Sequence, residues 1–206
     1  MSNKEKYKEF EEKSYVPIYS QNWWMDAVCL PENWDVWLYE KEGDICAAMP
    51  YYKEQRGKYR YITKAPLTQN NGIIFKIDNS AKPETIAKFQ EHVIDAANIF
   101  IESLMLDVYE QQFHYSFDNW LPFLWNKYTS LTRYTYVIED ISNIETIWNG
   151  MTSNYRQNIR KATKVAKVYE GYDADEFWNL HKKVFENQGI DVAFSLGLWI
   201  GFYDGV

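Results

Sequence analysis

The side chains best placed for chemistry in this 206-residue chain are five cations with no anion among them. From Tyr155 to Tyr169 the charged residues are Arg156, Arg160, Lys161, Lys164 and Lys167. They run against the trend of a protein whose formal net charge is -7. Wound as a helix, at about 100° per residue, the segment sets Tyr155, Ile159, Ala162 and Ala166 on one stripe. Arg156, Arg160, Lys164 and Lys167 fall on the neighbouring stripe. Guanidinium groups one turn apart can each hold a phosphate or carboxylate through a planar fork, so recognition of an anion is the chemistry this spacing suggests. The plainer alternative is a solvated basic flank beside a packing face.

Other chemistry is sparse. The chain has no P-loop, GxGxxG, HExxH or GxSxG pattern, and 9 glycines leave few places for backbone to wrap a phosphate. The nearest approach, Gln55-Arg56-Gly57-Lys58, reads as an ordinary turn. Cys29 and Cys46 stand alone, without metal-ligand or disulfide spacing, so buried reduced thiols and no metal are expected. His92, His114 and His181 are scattered; His114 is of most interest because it precedes the aromatic block Asn119-Trp120-Leu121-Pro122-Phe123-Leu124-Trp125.

Elements must position these groups. Thr152, Ser153 and Asn154 are all competent N-caps, so the basic helix is expected to begin near Asn154. Met1 to Lys13 reads as a polar, partly helical lead-in, and Tyr15 to Tyr19 as an extended segment. Ser20 is expected to cap a short helix in which Trp24, Ala27 and Val28 share a face, burying one Trp and leaving Trp23 free for a ligand. Trp34–Glu40 and Asp44–Tyr52 flank a turn at Lys41-Glu42-Gly43-Asp44 and form a hairpin, with a third strand over Tyr59–Lys64. Ala65 to Gly72 is a turn-rich loop. Apolar residues at helical spacing predict a helix from Pro83 to Ile101, followed by strands near Leu104–Tyr109 and Arg133–Ile138. After Met151 come the basic helix, a strand near Lys167–Glu170, a helix from Ala174 to Asn187 and an apolar end, Phe194 to Tyr203.

The fold class is α+β (mixed α/β), with a first domain over 1–150 and a second unit over 151–206 too short to bury a core alone. Its apolar end is expected to dock on the first domain or on another copy of the chain. Hydrophobic residues make up 46% and aromatics 18%, enough for a real core. A pI near 5.1 argues against broad nucleic-acid binding. No secretory leader or membrane-spanning stretch is present in this sequence, so a cytoplasmic location is expected.

The order of motifs resembles the Fem-type (FemAB-like, methicillin-resistance-like) branch of the GNAT superfamily of acyl- and aminoacyltransferases. The resemblance covers nearly the whole chain. It rests on Ser20 to Ala27, Met49-Pro50-Tyr51, Ala65-Pro66-Leu67-Thr68-Gln69 with Gly72, the block Asn119 to Trp125, and Tyr155 to Ala162. It implies a GNAT-like domain with a central, mostly antiparallel sheet flanked by helices, then the start of a second GNAT-like domain. Between them an amine would attack an activated acyl group. On this reading Arg156 and Arg160 hold an anionic part of substrate or donor, Lys64, Thr68 and Gln69 lie on a loop nearby, and Trp23, Trp120 and Tyr155 contribute to binding. The donor implied is acyl-CoA or aminoacyl-tRNA; the acceptor is a small molecule or a peptidoglycan-precursor-like substrate. Met25-Asp26-Ala27 after the first-helix Trp favours the acyltransferase-like branch over the peptidoglycan-branching one. Because the sequence ends at Val206, the donor-binding half is expected to be lacking and this chain alone inactive.

Two rivals share the residues. One is a non-enzymatic module stacking sugars or peptides on Trp23, Trp120 and Trp125. The other is an assembly domain pairing through its apolar end.

Overall fold

In the computed structural model, residues 1–168, 173–192 and 194–199 are described. They divide into two compact units: Met1–Leu131, joined by the described end of the chain, and Thr132–Val192. The division lies ahead of the boundary expected at residue 150.

In the first unit α1 (Asn3–Lys13) opens with a capping box, the Ser2 hydroxyl accepting from the Glu5 amide and the Glu5 carboxylate from the Ser2 amide. It buries only Tyr7 and Phe10, one turn apart. Ser20 does not cap the next helix: it closes a 3-10 turn, Ile18–Ser20, and Gln21 is the N-cap of α2 (Asn22–Val28), without a side-chain bond. The 3-10 turn also cuts short the extended segment expected through Tyr19.

The hairpin is present as β1 (Trp34–Lys41) and β2 (Asp44–Arg56). Its turn has positive φ at both Glu42 and Gly43, the geometry whose twist suits a two-residue hairpin loop. β3 (Tyr59–Thr63) follows through the Gln55–Lys58 turn. β4 (Ile74–Phe75), only two residues long and not anticipated, shares the same edge of β2 as β3, pairing at Ala47 and Ala48 while β3 pairs from Tyr52 to Arg56. α3 (Pro83–Ser103) crosses over and delivers β5 (Val108–Tyr109) parallel to β3. The strand expected over Leu104–Tyr109 is therefore confined to its last two residues. α4 (Leu121–Trp125) occupies the aromatic block.

The protein is thus α+β, with a mostly antiparallel sheet in the order β1-β2-β3-β5 and β4 beside β2. Period-2 alternation decides which helix each face meets. Trp37, Tyr39, Ala47 and Met49 pack with Val93, Ala97 and Ile101 of α3. Val36, Leu38 and Ala48 pack with Tyr7 and Phe10 of α1, and Trp34 and Tyr52 with Trp24, Met25 and Val28 of α2.

The second unit holds α5 (Ile144–Gly150), α6 (Ser153–Ala162) and α7 (Ala174–Glu186), none with a buried residue. Arg133–Ile138 is not a strand. β-Propensity there finds no partner strand among the described residues, and Tyr134 is 96% exposed. Lys167 and Val168 are not in a strand; the rest of that expected strand, and the apolar end past Trp199, lie outside the described residues. No described helix is long and apolar enough to cross a membrane.

Candidate functional site

β3 and β5 are the one parallel pair among the described strands, and both are followed by loops. In sheets with parallel strands, ligand sites collect beyond the carboxyl ends of the strands. The loop after β3 carries Lys64, Thr68, Gln69, Asn71 and Gly72; the loop after β5 carries Gln111, Phe113 and His114.

These loops are stitched together at Gln111. Its amide nitrogen donates to the Asn71 side-chain oxygen at 2.9 Å and to the Pro50 carbonyl at 3.2 Å. Pro50 lies in the stretch of β2 that β3 and β4 leave uncovered, so Gln111 supplies the donor a strand would have given. The Gln111 side-chain oxygen accepts from the Tyr109 hydroxyl at 2.5 Å, and the Asn71 amide donates to the Gln112 carbonyl at 2.8 Å. Burial, with Tyr128 beside it, pushes the Tyr109 phenol well up, so it stays a neutral donor. Gly72 follows at φ +127, and a Cβ there would come within 2.3 Å of the Phe113 ring. Only glycine fits.

The expected site residues divide. Thr68 is buried, 2% exposed, and both hydrogen-bonding roles of its hydroxyl are used: it accepts from the Trp24 indole at 3.0 Å and donates to the Pro66 carbonyl at 3.0 Å. It positions the loop. Lys64 and Gln69 are exposed on that loop. Trp24 is the buried indole and Trp23 the exposed one, as the helical spacing requires. Trp120, just before α4, is 39% exposed, and Trp125 is 62% exposed.

In the second unit Arg156 and Arg160 converge on Trp148. Arg156 donates to the Trp148 and Asn149 carbonyls at 3.4 and 3.2 Å, tying off the end of α5, while Arg160 lies over the Trp148 indole at 5.3 Å. Neither forms an ion pair with a carboxylate among the described residues. The Thr152 hydroxyl caps α6 by accepting from the Tyr155 amide. The apolar stripe expected to pack is uncovered: Tyr155 is 66% exposed, and Ile159 is exposed too.

The His114 imidazole takes the Ser116 amide on Nδ1 at 3.3 Å and lies 2.8 Å from the Ser116 hydroxyl. Accepting on Nδ1 puts the proton of the neutral ring on Nε2. Burial holds this histidine below its ordinary value. Cys29 and Cys46 are free thiols, and burial pushes Cys29 up to about 12. Among the described residues no three His, Cys, Asp or Glu side chains gather as a metal would need.

The hub at Gln111 had no sequence signal, since Glu110-Gln111-Gln112 reads as an ordinary polar run. The first unit offers a hydrogen-bonded pair of loops at the carboxyl ends of the parallel strands; the second unit, by itself, offers two guanidinium groups without an ion-pair partner among the described residues. No protein-family model matches the chain, and no curated protein matches it.

Proposed function

We propose that this chain is part of a GNAT-type, Fem-like N-acyltransferase or aminoacyltransferase, which moves an acyl group from acyl-CoA or aminoacyl-tRNA to an amine. The observation that carries this reading is the sheet. It is mostly antiparallel with helices on both faces, as the resemblance implies, and its single parallel pair ends in two loops locked by Gln111 and Asn71. Rigid loops of this kind suit a substrate that must be oriented before attack.

Arg156 and Arg160 are the groups for the anionic part of donor or substrate, since no described carboxylate neutralises them. On the first unit Lys64 and Gln69 are exposed beside the loop lock and Trp23 and Trp120 present ring faces; on the second, Tyr155 presents an exposed ring on the same helix as the arginines. Thr68 acts through Trp24 as a positioning residue. The acceptor is a small amine or a peptidoglycan-precursor-like molecule, and both donors belong to the cytoplasm. The test is a thermal-shift titration of the chain with acetyl-CoA, deacylated tRNA and a neutral sugar. Stabilisation by either donor and not by the sugar supports transfer; stabilisation by the sugar alone contradicts it.

The binding-module reading draws on a different observation, the exposed indoles of Trp120 and Trp125. Stacking on sugars or peptides needs such faces.

A further inference from the structure

α7 (Ala174–Glu186) has two apolar sides. At about 100° per residue, Trp178, His181 and Phe185 share one of them, and their rings pack along it, Trp178 to His181 at 6.3 Å and His181 to Phe185 at 4.9 Å. Phe177, Leu180 and Val184 share the other, roughly a quarter-turn away. These three face solvent, at 40%, 63% and 48% exposure. An apolar stripe running over two turns of a helix and left in water marks a contact surface.

The charges beside the stripe say what covers it. On its solvent flank stand Glu176, in the first half of the helix, and Lys183, in the second. Neither is in an ion pair among the described residues, whereas Lys182, further round the helix, is paired with Glu186 at 3.4 Å. Glu176 and Lys183 are two turns apart, too far to meet on one helix. Leu180 stands midway between them. A second α7 laid antiparallel across Leu180 brings the same flank of both helices together. Glu176 of each copy then faces Lys183 of the other, Phe177 faces Val184, and Leu180 meets Leu180. A parallel pair sets these flanks on opposite sides of the seam, and the charges miss each other. A lipid surface favours cations along such a flank, not an anion in the first turn.

We infer that α7 is a self-association surface, pairing antiparallel with α7 of a second copy of this chain in a two-fold dimer. This is a different segment from the apolar end, Phe194 to Tyr203, that the sequence suggests for pairing. It is independent of the transferase reading, since it uses neither the arginines nor the loops after β3 and β5.

The test is sedimentation equilibrium of the full chain up to about 1 mM. The seam is short, so the parent is expected to dimerise with a Kd of about 10–100 µM. Glu176→Lys and Lys183→Glu should each weaken the dimer about tenfold, because two symmetry-related pairs turn repulsive together. Both changes in one chain should restore the parent's affinity, and so should an equimolar mixture of the two single variants, in which every lysine again faces a glutamate. That rescue separates a direct contact from damage to the helix. Leu180→Asp should abolish the dimer. A parent that stays monomeric throughout would leave the face to lipid or to another protein and overturn the inference. Single variants that dimerise like the parent, a failure of both rescues, or a dimer that survives Leu180→Asp would overturn it as well.

Discussion

The Gln111 side chain donates to the Asn71 carboxamide oxygen at 2.9 Å across 40 residues of sequence, and that bond closes the loop after β3 onto the loop after β5. The same amide nitrogen reaches the Pro50 carbonyl, and its oxygen takes the Tyr109 hydroxyl. Gln111→Leu takes the shared donor from two acceptors, the Asn71 side-chain oxygen and the Pro50 carbonyl, and leaves the Tyr109 phenol only the weak Met49 sulfur, so a loss of about 2–3 kcal/mol is expected. Urea denaturation measures it, and a loss under about 0.5 kcal/mol would show that the loops hold without this hub.

Gly72→Ala must accommodate a methyl group against the Phe113 ring at a backbone angle that alanine rarely adopts. The expected cost is about 2 kcal/mol or more. Shortening the ring in Phe113→Ala removes the clash but not the strained angle. In that background the Gly72→Ala penalty should shrink and not vanish, which a double-mutant cycle reads directly.

Thr68→Val keeps the shape of the side chain and deletes the acceptor of the Trp24 indole. A loss of about 1–3 kcal/mol is expected for deleting this buried hydrogen bond. Lys64→Ala and Gln69→Ala, exposed on the same loop, should change stability by less than about 0.5 kcal/mol. Equal losses at all three would remove the distinction between a residue that builds the loop and residues left for a ligand.

The His114 imidazole is held by burial below its ordinary 6.5. Between the depressed folded value and 6.5 the unfolded chain binds more protons than the folded one, so stability rises with pH there. The contribution is fully present above 6.5 and is lost as pH falls through the folded value. His114→Gln should therefore flatten the pH dependence measured between about pH 7.5 and 5.5. A profile steeper in the variant than in the parent would reverse the sign and contradict it.

Much of the first unit was legible because strong periodicity and turn chemistry agreed. α3 extends two residues beyond its expected Ile101 end, and the hairpin turn carries the two positive φ angles its Glu-Gly pair permits. What failed had a physical cause in each case. β4 is two residues long and exists only because β2 offers an uncovered edge. Arg133–Ile138 has strand-forming residues but no partner strand among the described residues, so propensity alone did not make a strand. α5 went unseen because Ile144 to Gly150 buries nothing and so shows no packing periodicity. The basic helix was readable from charge placement and capping; Thr68, expected to bind substrate, has its buried hydroxyl spent on Trp24 and Pro66. The hub role of Gln111 was not legible, since it depends on a gap in a ladder that only the folded sheet creates.

The central claim is that Arg156 and Arg160, converging on Trp148 without an ion-pair partner among the described residues, form one anion site. Calorimetric titration of acetyl-CoA and of deacylated tRNA into the parent, into Arg156→Ala/Arg160→Ala and into the control Lys161→Ala/Lys164→Ala tests it most directly. The account predicts that at least one of these anions binds the parent and that the arginine pair loses about tenfold or more of that affinity, the lysine pair far less. Equal losses in both variants, or an arginine variant that binds as well as the parent, would contradict it.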